Sequence, residues 1–116
     1  MDKSDNQLIE EFLSGEQKNL EILIDRYLKI IFNYVQKTTG DSSETEDIVQ
    51  EVFVKVWKNI NKFNLNQNFK TWIFTIARNT TIDWLRKKKS ILFSELKSID
   101  DEGDEKSFEE NFELNK

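Results

Sequence analysis

Asn61 to Asn68 gathers four asparagines, one glutamine, one lysine, Phe63 and Leu65. An amide side chain carries donors and an acceptor together. It can meet the Watson–Crick edge of a base only when that edge has left its pair. Phe63, read here as an exposed aromatic in a loop, would offer a ring for stacking, worth roughly 1–3 kcal/mol per base. Opening a base step costs a few kcal/mol, so one or two such pockets can offset it. The run Arg86-Lys87-Lys88-Lys89 follows in the next helix and suits a phosphate backbone, while also complementing the dipole at a helix C-terminus. The plainer reading of the same residues is Phe63 as a core plug and the basic run as ordinary helix-end chemistry. A second surface is Asp47, Gln50, Glu51 and Val54, an acidic and amide-bearing stripe with one apolar contact. It would dock on a basic helix of a partner protein, or else be a solvated face.

Other chemistry is excluded by composition. The chain has no Cys and no His, which removes thiol and imidazole catalysis, disulfides and the usual zinc ligands. The acid pairs Glu10/Glu11 and Asp100/Asp101 fit solvated faces, and no carboxylate pair has a reason to act as a general acid or base. Trp57, Trp72 and Trp84 fit core or edge positions better than a ligand cage. The chain is therefore expected to be no enzyme and to hold no metal or cofactor. No apolar run approaches the length that spans a bilayer, and the N-terminus lacks the plan of a signal peptide, so a cytoplasmic protein is expected.

The net charge of −5 hides a strong asymmetry. Residues 61–90 carry seven Lys/Arg and one Asp, whereas residues 91–116 carry three Lys and nine Asp/Glu. Residues 1–60 carry seven Lys/Arg and twelve Asp/Glu. One basic segment lies between two acidic ones, which points to an anionic partner for the middle of the chain.

The elements that must position these residues are helical. Pro is absent and Gly occurs three times, which favours long helices over turn-rich sheets. Ser4 to Gln7 forms a capping box before Leu8, Ile9, Phe12 and Leu13, and Gly15 is a natural stop. A second helix is expected from Gln17 to Thr38, with a stripe of Leu20, Leu23, Ile24, Tyr27, Leu28, Ile31, Tyr34 and Val35, closed by Gly40. Ser43 to Glu46 is a further capping box, opening a third helix from Glu44 to Ile60. Its inward face is Ile48, Val49, Val52, Phe53, Val56, Trp57 and Ile60. The Asn-rich loop interrupts the pattern, because Asn favours caps and turns. A fourth helix is expected from Phe69 to Lys89, with Phe69, Trp72, Ile73, Ile76, Ala77, Thr80 and Trp84 inward. Lys70, Thr71, Phe74, Thr75, Arg78, Asn79 and Arg86 lie toward the outer face. A short apolar patch of Ile91, Leu92, Phe93 and Leu96 then precedes an acidic run that reads as a flexible tail. The expectation is an all-α protein, a compact bundle of four helices, with residues 1–93 as the domain and residues 94–116 as an acidic linker.

Two stretches resemble a known family. Glu46-Asp-Ile-Val-Gln-Glu-Val-Phe-Val-Lys-Val-Trp57 resembles the region 2.2 helix of sigma-70-family factors of the extracytoplasmic-function (ECF) group. Phe69-Lys-Thr-Trp-Ile-Phe-Thr-Ile-Ala-Arg-Asn-Thr-Thr-Ile-Asp-Trp-Leu-Arg-Lys-Lys-Lys89 resembles regions 2.3 and 2.4 of that group. Leu8 to Gly15 and the helix reaching Tyr27 look like regions 1.2 and 2.1.

The resemblance implies a transcription initiation factor domain that binds core RNA polymerase and melts the −10 promoter element. The region 2.2 helix docks on the β′ clamp helices in this family, which assigns Asp47, Gln50, Glu51 and Val54 to that contact. The region 2.3 loop and following helix capture a base flipped from the non-template strand. That assigns Phe63, Phe74 and Asn79 to the pocket, with Asn64, Asn66 and Asn68 around it. Lys70, Arg78, Arg86, Lys87 and Lys88 would hold the strand backbone or the upstream duplex. Many members also have an anti-sigma partner. Full-length members carry a second helical domain, region 4, which is not expected within these 116 residues. The chain ends inside what resembles the connecting linker. Two rival readings remain at this level. One is a helical regulatory module that occupies the polymerase clamp without binding DNA. The other is a duplex-reading repressor, for which the gap between the third and fourth helices is long and Asn-rich.

Overall fold

The computed structural model describes residues 2–99, with side chains through residue 96. Among the described residues there are four α-helices, one 3₁₀ turn and no strand. The helices are α1 (Asp5–Leu13), α2 (Lys18–Thr39), α3 (Ser42–Asn59) and α4 (Phe69–Ile99), with the 3₁₀ turn at Ile60–Lys62. The chain divides after Thr81 into two units. The first holds α1 to α3, the loop and the start of α4; the second holds the rest of α4. The acidic run from Asp100 lies outside the described residues.

Each helix starts and stops for a local reason. Ser4 is extended, and its Oγ accepts the Gln7 N–H at 3.2 Å. After α1 the chain turns at Gly15, whose φ of +120° is a conformation that a side chain would strain. α2 ends on Gly40 in the left-handed region, with its N–H donating to the Gln36 carbonyl at 2.9 Å. The cap of α3 is Asp41 rather than the expected Ser43. Its Oδ1 accepts the Glu44 N–H at 3.0 Å, and the helix begins at Ser42. Asp41 wins because it is the residue in extended geometry, which lets its side chain fold back on the first turn.

The apolar stripes define the core of the first unit. Leu8, Ile9, Leu20, Leu23, Tyr27, Ile31 and Val35 are buried, as are Ile48, Val49, Val52, Phe53, Val56 and Ile60. Phe69, Ile73, Ala77 and Thr80 bring α4 into the same core. Three expected core positions face out instead. Leu13 is exposed at the end of α1, Leu28 lies at the edge of the α2 stripe, and Trp57 is 61% exposed. A stripe wider than the neighbouring helix can cover leaves its edge positions in solvent.

Polar lashings join α1 to α2. Asn19 is buried, and its Nδ2 donates to the Leu8 carbonyl at 3.2 Å and to Glu11 Oε1 at 3.0 Å. Lys3 Nζ reaches the same oxygen at 2.6 Å. The Lys3 and Asn19 bonds hold the Glu11 carboxyl below the usual carboxylate range. Asp5 accepts from Arg26 at 2.8 Å and from the Tyr27 hydroxyl. Burial, and then the Asp5 bond, push the Tyr27 phenol up.

α4 is longer than the sequence pattern predicts. The expected stop at Lys89 is not a stop, and the patch Ile91, Leu92, Phe93 and Leu96 continues the helix to Ile99. No Gly or Pro lies between Lys89 and Ile99 to end it, and without a breaker a helix propagates.

Candidate nucleic-acid interface

The loop between α3 and α4 is built by its own side chains. The 3₁₀ turn ends with the Phe63 N–H donating to the Ile60 carbonyl at 3.1 Å. Asn64 Oδ1 accepts the Asn66 N–H at 2.9 Å, and its backbone carbonyl accepts the Gln67 N–H at 2.8 Å. Asn68 caps α4, with Oδ1 accepting the Thr71 N–H at 3.1 Å and its carbonyl accepting the Trp72 N–H at 3.1 Å. Asn64 and Asn68 thus use one face of their amides to fold the loop, and Asn64, Asn66 and Asn68 all remain exposed.

Phe63 is not the exposed aromatic that the sequence suggests. It is 6% exposed, and its ring packs against Phe69 at 5.7 Å and Trp72 at 5.0 Å. Phe69 in turn meets the edge of Tyr27 at 5.4 Å. A large ring gains more by joining this cluster than by standing in solvent. Phe63 therefore shapes the floor beneath the loop rather than offering a free face.

On α4 the outward residues recur every four positions. Lys70 and Arg78 are exposed, Phe74 between them is half-buried, and Asn79 beside Arg78 is exposed. Phe74 stands edge-on to Tyr34, with ring centres 5.1 Å apart. Thr80, the residue after Asn79, is fully buried, and its Oγ1 accepts from Lys55 Nζ at 3.0 Å. Lys55 also pairs with Glu51 at 3.3 Å. Sequence reasoning missed Lys55. The available signal was a lysine between Val52 and Val56, on the inward half of α3. In the second unit, Arg86, Lys87 and Lys88 are exposed, whereas Lys89 is buried.

The α3 surface has a different character. Asp47 and Gln50 are exposed, Glu51 is partly exposed, and Val54 is 47% exposed. Gln50 and Val54 border an apolar groove of about 360 Å³, completed by Ile24, Leu28, Val49, Phe53 and Trp57. This surface is more apolar than the acidic stripe predicted. Trp57, one turn beyond Val54, was the missed residue. A polar hollow of about 460 Å³ separates Ser4–Asn6 from Leu65–Phe69. Among the described residues no cluster of acidic side chains has metal-binding geometry, and no helix is long and apolar enough to cross a membrane.

This bundle, with an amide-built loop opening onto a cationic helix, agrees with the comparisons. Residues 23–91, more than half of the chain, match the model of sigma-70 region 2, and the chain belongs to that family. Within it, the relatives assign the chain to region 2 of the ECF group. It is 38% identical over 81 residues to the ECF RNA polymerase sigma factor SigW of Bacillus subtilis, covering 70% of this chain and 43% of that one. It is 39% identical over 102 residues to a probable RNA polymerase sigma factor of Haemophilus influenzae, covering 84% of this chain and 51% of that one. The chain thus spans about half the length, or less, of these relatives. Among solved structures it resembles an engineered region 2 of sigmaE in complex with GTAAAA. The TM-score is 0.71 at 31% identity, covering 78% of this chain and 94% of that one. It also resembles CnrH, solved in complex with the cytosolic domain of CnrY, with a TM-score of 0.64 at 25% identity, covering 70% of this chain and 53% of that one.

Proposed function

We propose that this chain is the promoter-opening part of a transcription initiation factor. It docks on the β′ clamp helices of core RNA polymerase through Asp47, Gln50, Glu51 and Val54 on α3. It captures unpaired non-template bases of the −10 element with the loop and the first turns of α4. The mechanism is a population shift. Duplex opening is unfavourable, and a surface that binds the open strand more tightly than the closed duplex moves the equilibrium toward opening. Catalysis of RNA synthesis belongs to the polymerase.

The observation that carries this reading is the row Lys70, Phe74 and Arg78 along α4 directly after the amide loop, with Asn79 exposed on the adjoining side of the helix. The first turns of α4 thus offer cations for phosphate, a ring edge and an exposed amide, which is the chemistry of single-strand binding. Arg86, Lys87 and Lys88 are assigned to phosphates of the strand or the upstream duplex. The relative solved with GTAAAA supports the DNA role. The apolar groove beside Gln50 and Val54 supports a protein partner on α3, and an anti-sigma protein would compete with polymerase for it. These assignments place the chain in the cytoplasm with polymerase.

The test is binding of the chain, joined to core polymerase, to a template with an unpaired −10 non-template strand and to the same template fully paired. The expected outcome is at least a tenfold preference for the unpaired form, falling steeply with salt. Equal affinity for both would overturn the reading.

A further inference from the structure

The first turn of α1 reaches across to the loop, which lies about sixty residues away in the chain. Asn6 Nδ2 donates to the Leu65 carbonyl at 2.6 Å, a part-buried bond spanning 59 residues. Leu65 sits at the centre of the loop, inside the turn that Asn64 closes onto Asn66 and Gln67. The neighbouring Asp5 fixes that end of α1 to α2 by accepting from both Arg26 and Tyr27. The Tyr27 ring packs on Phe69, and Phe69 packs on Phe63 at the other end of the loop. The loop is therefore held from beneath by aromatic rings and from the side by Asn6. Asp5 and Asn6 lie outside residues 23–91, the part that matches the family model.

We infer that the first turn of α1 is a positioning element for base capture, with Asn6 holding the Leu65 carbonyl so that the loop meets the strand already folded. This rests on the promoter-opening reading above. A loop that is polar and exposed loses conformational freedom when a ligand orders it, and that loss subtracts from affinity and blunts discrimination. A bond that fixes the loop beforehand removes much of that loss. Asn6 touches no base in this scheme; it acts through Leu65.

The experiment uses the full chain with Asn6→Ala and Asn6→Asp. Asp at this position favours the helix N-terminus, so α1 is kept while the amide donor is lost. Two measurements are made on wild type and both variants. Amide hydrogen exchange without DNA reads the tether at Asn66 and Gln67. Selection at low salt from single-stranded 20-mers with a randomised central hexamer reads base discrimination, with the paired 20-mers as reference. In both variants exchange at Asn66 and Gln67 should rise about tenfold, with α3 amides unchanged. Base preference should fall from more than tenfold in wild type to under about threefold. Unchanged loop exchange overturns the tether. Faster exchange with an unchanged base preference overturns its role in capture. Wild type that prefers neither single strands nor any base overturns the promoter reading and the purpose of the tether together, and the exchange data still report whether the tether exists.

Discussion

The α3 surface and the loop–α4 surface are built from opposite materials. On α3 the residues proposed for docking belong to one regular helix. Helical spacing alone sets Asp47, Gln50, Glu51 and Val54 side by side, and an ion pair joins Glu51 to Lys55, four residues on. The loop–α4 surface is half irregular, and side-chain hydrogen bonds from Asn64, Asn68 and Asn6 give it shape. A rigid partner such as a helix pair asks only for a rigid face. A flexible strand asks for a hollow, and a hollow needs a shaped loop. The first surface should therefore tolerate the loss of almost any bond within it, while the second should be sensitive to bonds that never touch the ligand.

The largest expected separation between the two comes from charge. Replacing Arg86, Lys87 and Lys88 together by Glu should lower affinity for single-stranded DNA about 100-fold at low salt and flatten its salt dependence. Binding to core polymerase should be unchanged within error. Fluorescence anisotropy at two salt concentrations, beside a polymerase pull-down, checks both. Loss of polymerase binding in this variant would erase the distinction.

A smaller effect is expected on the α3 side. Trp57 is 61% exposed at the rim of the apolar groove, so Trp57→Ala should change folding stability by no more than about 0.5 kcal/mol. An exposed aromatic at the rim of an apolar groove is a natural anchor for a protein partner. The same variant should weaken polymerase binding about tenfold and leave single-strand binding alone, as titration calorimetry and thermal melts would show.

Much of this was legible in the sequence, unevenly. The four helices followed from apolar periodicity and from Gly15 and Gly40, because those signals are local. Lys70, Phe74 and Arg78 follow one another along α4 at the four-residue spacing of a helix, whereas Asn79 is exposed on the adjoining side. Between the two readings of Phe63, exposed ring or core plug, the loop pattern does not choose, since burial in a cluster with Phe69 and Trp72 depends on tertiary packing. Trp57 was misjudged for the converse reason, because periodicity says which face is apolar but not how far the neighbouring helix covers it. The Asn6–Leu65 bond was invisible, joining residues 59 positions apart with no periodic relation. The continuation of α4 past Lys89 had a signal, the lack of any breaker, which the change in composition obscured.

Asn68 offers the finest cut between shaping and contact. The sequence places it among residues around the base pocket, whereas its Oδ1 caps α4 by accepting the Thr71 N–H. If capping is its main role, any side chain with a suitable acceptor will serve. Ser caps about as well as Asn, while Ala leaves the first-turn N–H without that partner. Asn68→Ala should therefore cost about 1 kcal/mol of stability and, by loosening the start of α4, about threefold in single-strand affinity. Asn68→Ser should restore both, although it carries no amide with which to read a base. Denaturant melts and anisotropy on the same preparations separate the outcomes. Restored stability with unrestored DNA affinity would mean that the Asn68 amide touches the strand, moving it from the scaffold of the loop to its binding face.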